Sequence, residues 1–177
     1  MLPDLLSLED SDEASRNETA ADIPLIRALI TRAFAPMAFS SQTEAAIVDA
    51  LRDRGKLSVS LIAEDEGNVV GHVAFSPVAI DGADLGWYGL GPIAVAPEWQ
   101  GQGVGSALMD AGLAAIRALG ARGCVLLGDP AFYSRFGFQA YSRLTLPGVP
   151  AEYFQAVTFS GDTPSGEVTY DEGFSAS

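Results

Sequence analysis

A chain of 177 residues, 48% of them hydrophobic, is long enough for one domain with a buried core, and a formal net charge of −13 excludes a basic nucleic-acid-binding face. A single cysteine, Cys124, excludes an internal disulfide, and no apolar run approaches the roughly 20 residues of a membrane span. The opening residues lack the basic stretch and unbroken apolar segment of a secretory signal, so a soluble, cytoplasmic protein is expected, with neither nucleic acid nor membrane as partner.

Residues 1–14 are acidic and aperiodic and are expected to form a loosely ordered N-terminal extension, leaving 15–177 as the single domain. Asp22 before Ile23-Pro24 predicts a helix start, with Asp22 as its cap and proline in the first turn; Ile23, Ile26, Leu29, Ile30 and Ala33 follow with helical spacing. A second helix is predicted from Gln42 to Arg54, stopped by Gly55. Leu57, Val59, Leu61 and Ala63 alternate as a strand, and the turn Glu64 to Asn68 leads into another strand from Val69 to about Ile80. The loop Asp81 to Asp84 precedes a strand from Trp87 to Ala96.

A glycine-dense turn follows, and then a helix predicted over Val104 to Leu119 with Gly120 as its C-cap. Gly123 to Leu127 is a short, continuously apolar strand, expected to be buried on both faces and paired in parallel. Phe154 to Ser160 is a late strand. The succession β-α-α-β-β-β-α-β-α-β predicts an α/β protein with a mixed sheet.

Function is most legible at the glycine-dense turn. Glycines at 101, 103 and 105 leave backbone N–H groups uncovered at a helix N-terminus, where the helix dipole and the orphan amides favour an anion. A P-loop would need a Gly-Lys-Ser/Thr sequence, but the only lysine is Lys56, far upstream. A dinucleotide fingerprint would need a third glycine where Ser106 or Leu108 stands, and an acidic residue where Ala121 to Leu127 offers none.

Gln100-x-x-Gly103-x-Gly105, after a strand ending in Val95-Ala96-Pro97, resembles the pyrophosphate-binding motif Arg/Gln-x-x-Gly-x-Gly/Ala of the GNAT superfamily of N-acetyltransferases. Tyr133-x-x-x-Gly137-Phe138, in the run Asp129 to Phe138, resembles the Tyr-x-x-x-Gly-Phe sequence with which that family closes its cofactor half. Gly71 to Val78, Leu90 to Val95 and Gly128 to Tyr133 look most like the YhbS-type predicted acetyltransferases. The resemblance covers roughly Ser15 to Phe174.

The resemblance implies a mostly antiparallel sheet with one parallel, splayed strand pair that forms an acyl-CoA cleft. It implies acetyl-CoA as cosubstrate, no metal, a small-molecule or protein amine as acceptor, and leaves a homodimer open. The pantetheine arm would pair with the backbone of Ile93, Ala94 and Val95. Gln100, Gly101, Gln102, Gly103, Val104, Gly105 and Ser106 would hold the pyrophosphate. Tyr133 would act as general acid toward the departing thiolate, and Asp129 stands where many relatives carry asparagine and is expected to cap the short helix.

The general base is unassigned. The family's strand glutamate matches a position near Gly89, which has no side chain. His72, the only histidine, shares a strand face with Ala74 and Ser76 and reads better as structural; Glu98 reads as a solvated turn residue. The loops after the first helix (Ala35 to Ser41) and after Arg143 are expected to shape the acceptor pocket; Trp87 and Tyr88 could line it but read better as core, and Cys124 reads as strand filler. Deprotonation through water stays open. A non-catalytic acyl-CoA sensor of the same fold is the competing reading, and the acid-rich composition suits either a cationic acceptor or plain solubility.

Overall fold

The computed structural model describes residues 15–177, so the acidic extension 1–14 lies outside the described residues. The main sheet has six strands in the order β1 (Ser15–Asn17), β2 (Val59–Asp65), β3 (Asn68–Pro77), β5 (Trp87–Val95), β6 (Gly123–Leu127) and β8 (Phe154–Thr158). Only the β5–β6 pair is parallel; the other neighbours are antiparallel. A second, three-stranded sheet orders β4 (Ala79–Ile80), β9 (Gly166–Thr169) and β7 (Leu144–Thr145).

Helices cover both faces of the main sheet. On one face lies α3 (Val104–Ala118), whose Leu108, Met109 and Ile116 pack on Val73, Phe75 and Leu126. Phe75 lies so close to this helix that a Cβ at Gly112 would sit 2.4 Å from its ring, so the glycine permits the close packing. On the other face, α1 (Ile23–Phe34) and α2 (Glu44–Asp53) bury Ile26, Ile30 and Val48 against Ile62, Ala74 and Ala94. The small sheet covers the β6–β8 end, where Ile80, Leu144 and Val168 pack on Trp87 and Phe154. Among the described residues no helix is long and apolar enough to cross a membrane.

Two expectations are corrected. Asp22 does not cap α1 with its side chain; it closes a one-turn 3₁₀ helix (Ala20–Asp22) that runs into α1. Its carboxylate accepts from the Thr19 backbone N–H at 2.7 Å and from both Arg16 terminal nitrogens at 2.8 and 3.0 Å. The Arg16 guanidinium and that N–H hold the Asp22 carboxyl well below the usual carboxylate range. The second correction concerns the strand expected from Val69 to Ile80. β3 ends at Pro77, which has no N–H, and Ala79–Ile80 crosses to the small sheet to pair with Val168 and Thr169.

His72 is structural. It is fully buried beneath α1 and α2, with Nε2 2.8 Å from Ser60 Oγ. Ser60 donates in turn to Glu18, which pairs with Arg52 of α2 at 2.8 Å. This chain of partners ties the sheet to the helical layer. Burial pushes the imidazole down to about 4, with Glu18 opposing and Arg52 reinforcing that shift, so it is neutral at pH 7. An unfolded histidine takes up its proton near pH 6.5, above the folded value, so the stability held by His72 is full above that pH. It is lost as the pH falls toward 4, by about 3 kcal/mol at most. Equilibrium urea unfolding across this range should show a sloping stability in the native protein and a flatter one in His72→Gln. Equal slopes would mean that His72 does not titrate on unfolding.

Candidate active site

The parallel contact between β5 and β6 is short: Trp87, Tyr88 and Gly89 stand opposite Gly123, Cys124 and Val125. Beyond it β6 continues beside β8 to Leu127, whereas β5 bends away. The bend coincides with a bulge. Val73 of β3 faces Ile93 and Phe75 faces Leu90, so Gly91 and Pro92, joined by a cis peptide bond, both stand opposite Ala74. A cavity of about 590 Å³ opens in the gap, lined by Leu90, Pro92 and Ile93 on one side and Leu127, Phe132 and Tyr133 on the other.

Past the bulge β5 has a free edge. The Ala96 N–H donates to Val70 C=O, so by strand alternation Ile93 and Val95 turn their amides and carbonyls toward the gap. The Val95 carbonyl accepts from the Gln100 side-chain amide at 3.1 Å, which staples the loop to the strand end. Ala94 points its side chain the other way, into the α1–α2 layer.

The glycine turn ends on the N-terminus of α3. Gly101 and Gly103 adopt φ of 76° and 87°, left-handed values that other residues seldom take. The first main-chain bond into the helix comes from the Ala107 N–H to Gly103 C=O, so the amides of Val104, Gly105 and Ser106 have no helical acceptor. No side chain caps them. Gln102 folds back to donate to Glu98 C=O at 3.0 Å, and Glu98 itself is exposed and pairs with Arg32 at 2.8 Å. The result is a concavity of main-chain donors, the form in which a helix end receives an anion.

Tyr133 reaches the cavity from α4 (Pro130–Tyr133), a short helix capped by Asp129, whose carboxylate accepts from Ala131 N–H at 2.9 Å. The expected cap is therefore present. The Tyr133 ring meets Phe132 edge-on at 4.9 Å between centroids. Beneath it lies Gly128, where a Cβ would stand 2.4 Å from the ring, so a side chain at 128 would displace the tyrosine. Burial, reinforced by Asp129, raises the phenol, which therefore stays protonated at neutral pH and able to donate.

The residues weighed against core roles fall into the core. Trp87 and Cys124 are buried, Tyr88 is half-buried against the α3 side, and burial pushes the Cys124 thiol far up. Tyr170 was not legible from sequence. Its ring lies over Gly89, where a Cβ would sit 2.4 Å from Cε1, so it fills the space that a side chain at 89 would take. Burial raises its hydroxyl too, and it lines the cavity beside Phe174. Glu44 at the start of α2 is a second such residue. Its carboxylate is bonded to Ser40 Oγ and accepts from Thr43 N–H at 3.1 Å.

Residues 56–140 match the model of the acetyltransferase (GNAT) domain. The N-acetyltransferase YhbS of Escherichia coli (strain K12) is 41% identical over 167 residues, which cover 90% of this chain and 96% of that protein. The chain belongs to the GNAT acetyltransferases. A GNAT family acetyltransferase from Brucella melitensis, solved in complex with acetyl-CoA, superposes with a TM-score of 0.82 at 49% identity, covering 90% of this chain and 96% of the other. The solved E. coli YhbS, in complex with CoA, also gives 0.82, at 40% identity and with 91% of each chain covered. The enzyme is thus an acyltransferase with the GNAT fold. The strand splay, the cradle at α3 and the tyrosine of α4 all lie on its matched region.

Proposed function

We propose that the enzyme binds acetyl-CoA in this gap and transfers the acetyl group to a primary amine by direct attack in a ternary complex. One juxtaposition carries the reading: the open amides of α3, the free edge of β5 and the Tyr133 ring border one continuous splay between two parallel strands. The Gly101 to Ser106 backbone would take the pyrophosphate, with Gln100 bracing the loop against Val95. Ile93 to Val95 would pair with the pantetheine arm as an added strand. Tyr133 would protonate the leaving thiolate.

The energetics place the demand on the acceptor. Baring the lone pair of a lysine-like amine at pH 7 costs about 4.6 kcal/mol, whereas a thiol with a pKa near 8.5 already leaves well. No base is assigned to this first step. His72 is sealed beneath α1 and α2 against Ser60 and does not line the cavity, Glu98 is paired on the surface, and Asp129 is occupied as a cap. Transfer of the amine proton to water within the open cleft fits these positions. The sensor reading predicts the same cofactor cleft without turnover, and amine-dependent release of free thiol distinguishes the two.

The reading is tested by native mass spectrometry of the folded protein with acetyl-CoA and with NAD as a matched control. A stoichiometric adduct with acetyl-CoA alone is expected. Equal adducts, or none, would overturn it.

A further inference from the structure

The cavity has a wall that neither the β5 edge nor Tyr133 supplies. Phe34 of α1, Met37 and Phe39 of the loop after it, and Ile47 of α2 form one part. Leu146, Tyr170 and Phe174 form the other. No lysine, arginine or histidine stands among the lining residues; the ionisable groups there are the carboxylates of Glu44 and Asp129 and the phenols of Tyr133 and Tyr170. Phe39 is 84% exposed on its loop at this cavity, a large apolar surface facing the ligand space.

From this lining we infer that the acceptor is an amine with an apolar, aromatic-sized body and no anionic group. The inference rests on the acyl-transfer reading above and narrows it. An apolar body gains free energy from leaving water for the Phe34, Ile47 and Phe174 side of the cavity. A carboxylate or phosphate brought to the same place loses its hydration, finds no cation, and faces two carboxylates. An ammonium group meets the opposite situation, and the −13 net charge draws cations toward the protein before contact. A polyhydroxylated amine would leave its hydroxyls without partners along the apolar wall.

The test compares phenethylamine with L-phenylalanine, which differs by one carboxylate, in a thiol-release assay with saturating acetyl-CoA. Binding of each amine to the CoA-loaded protein is followed in parallel by ligand-observed NMR. Phenethylamine is expected to exceed phenylalanine in kcat/KM by about 100-fold or more. Met37→Arg, a half-buried loop position that would place a cation in the wall, should reduce that ratio at least tenfold. Equal or reversed preference in the native enzyme would overturn the inference. So would acetyl-CoA binding with neither amine bound or turned over, which leaves the cofactor reading standing. Failure of acetyl-CoA itself to bind would remove both.

Discussion

Replacing Gly105 with aspartate is expected to weaken acetyl-CoA binding by about 100-fold or more while leaving the protein at least as stable as before. Gly105 is the second residue of α3, in ordinary helical backbone, and a Cβ there would meet only Phe132 Cζ and Val95 Cγ2, both at 3.8 Å. Side chains are therefore accommodated. A carboxylate in the first turn gains from the helix dipole, about 0.3–1 kcal/mol, and aspartate is also a better helix residue than glycine. The same carboxylate would occupy the concavity of the Val104, Gly105 and Ser106 amides and repel a second anion.

A hundredfold loss is about 2.7 kcal/mol, within reach of one uncompensated charge at such a site. Gly105→Ala is the control, since it adds volume without charge and matches the Gly/Ala alternative of the motif. Titration calorimetry with acetyl-CoA and a thermal melt of all three proteins give the answer. Unchanged affinity in a folded Gly105→Asp protein would remove the α3 N-terminus from the cofactor site.

What was legible in the sequence was what depends on near neighbours. The cradle is written in glycines whose left-handed φ no other residue adopts readily, next to the start of an apolar helical period. The parallel strand Gly123–Leu127 showed itself as an unbroken apolar run, and its last residue, Leu127, emerges at 49% exposure where the strands have parted. The Asp129 cap needed only the following proline and the short helix.

Contacts between distant segments left no such trace. The role of Asp22 is set by Arg16 across a turn, so an aspartate that reads as a cap instead closes an ion pair. The small sheet joins Ala79 to Thr169, and two-residue strands carry no detectable alternation. Tyr170 comes to lie over Gly89 from 81 positions away, and the gap in the chemistry at 89 gave no hint of which residue would fill it. The proposed acceptor wall was legible only in part. The loops Ala35 to Ser41 and after Arg143 are expected at the acceptor pocket, and Met37, Phe39 and Leu146 of those loops line the cavity. Its aromatic residues belong to helices and loops whose periodicity speaks of burial, not of which cavity they face.

Tyr133→Phe is the substitution that separates an enzyme from a cofactor-binding module. A drop in kcat of about 100-fold is expected, with the dissociation constant for acetyl-CoA little changed. The ring packs on Phe132, Phe138 and the bare backbone at Gly128, and phenylalanine keeps all of these contacts, so the wall of the cleft survives. Only the proton is lost. General acid catalysis commonly contributes 10²–10⁴-fold, and a thiolate needs less help than an alkoxide, which places the effect near the lower end.

Burial and Asp129 both raise the Tyr133 phenol, so the native enzyme keeps its acid through the neutral range and should lose it only at high pH. The rate of the native enzyme should therefore rise with pH as the acceptor amine deprotonates and fall again once the phenol ionises. The Phe variant should keep the rise and lack the fall. Single-turnover thiol release from pH 6 to 11 reads both limbs. A Phe variant with the native rate and the native fall would take Tyr133 out of the chemistry and leave it as packing.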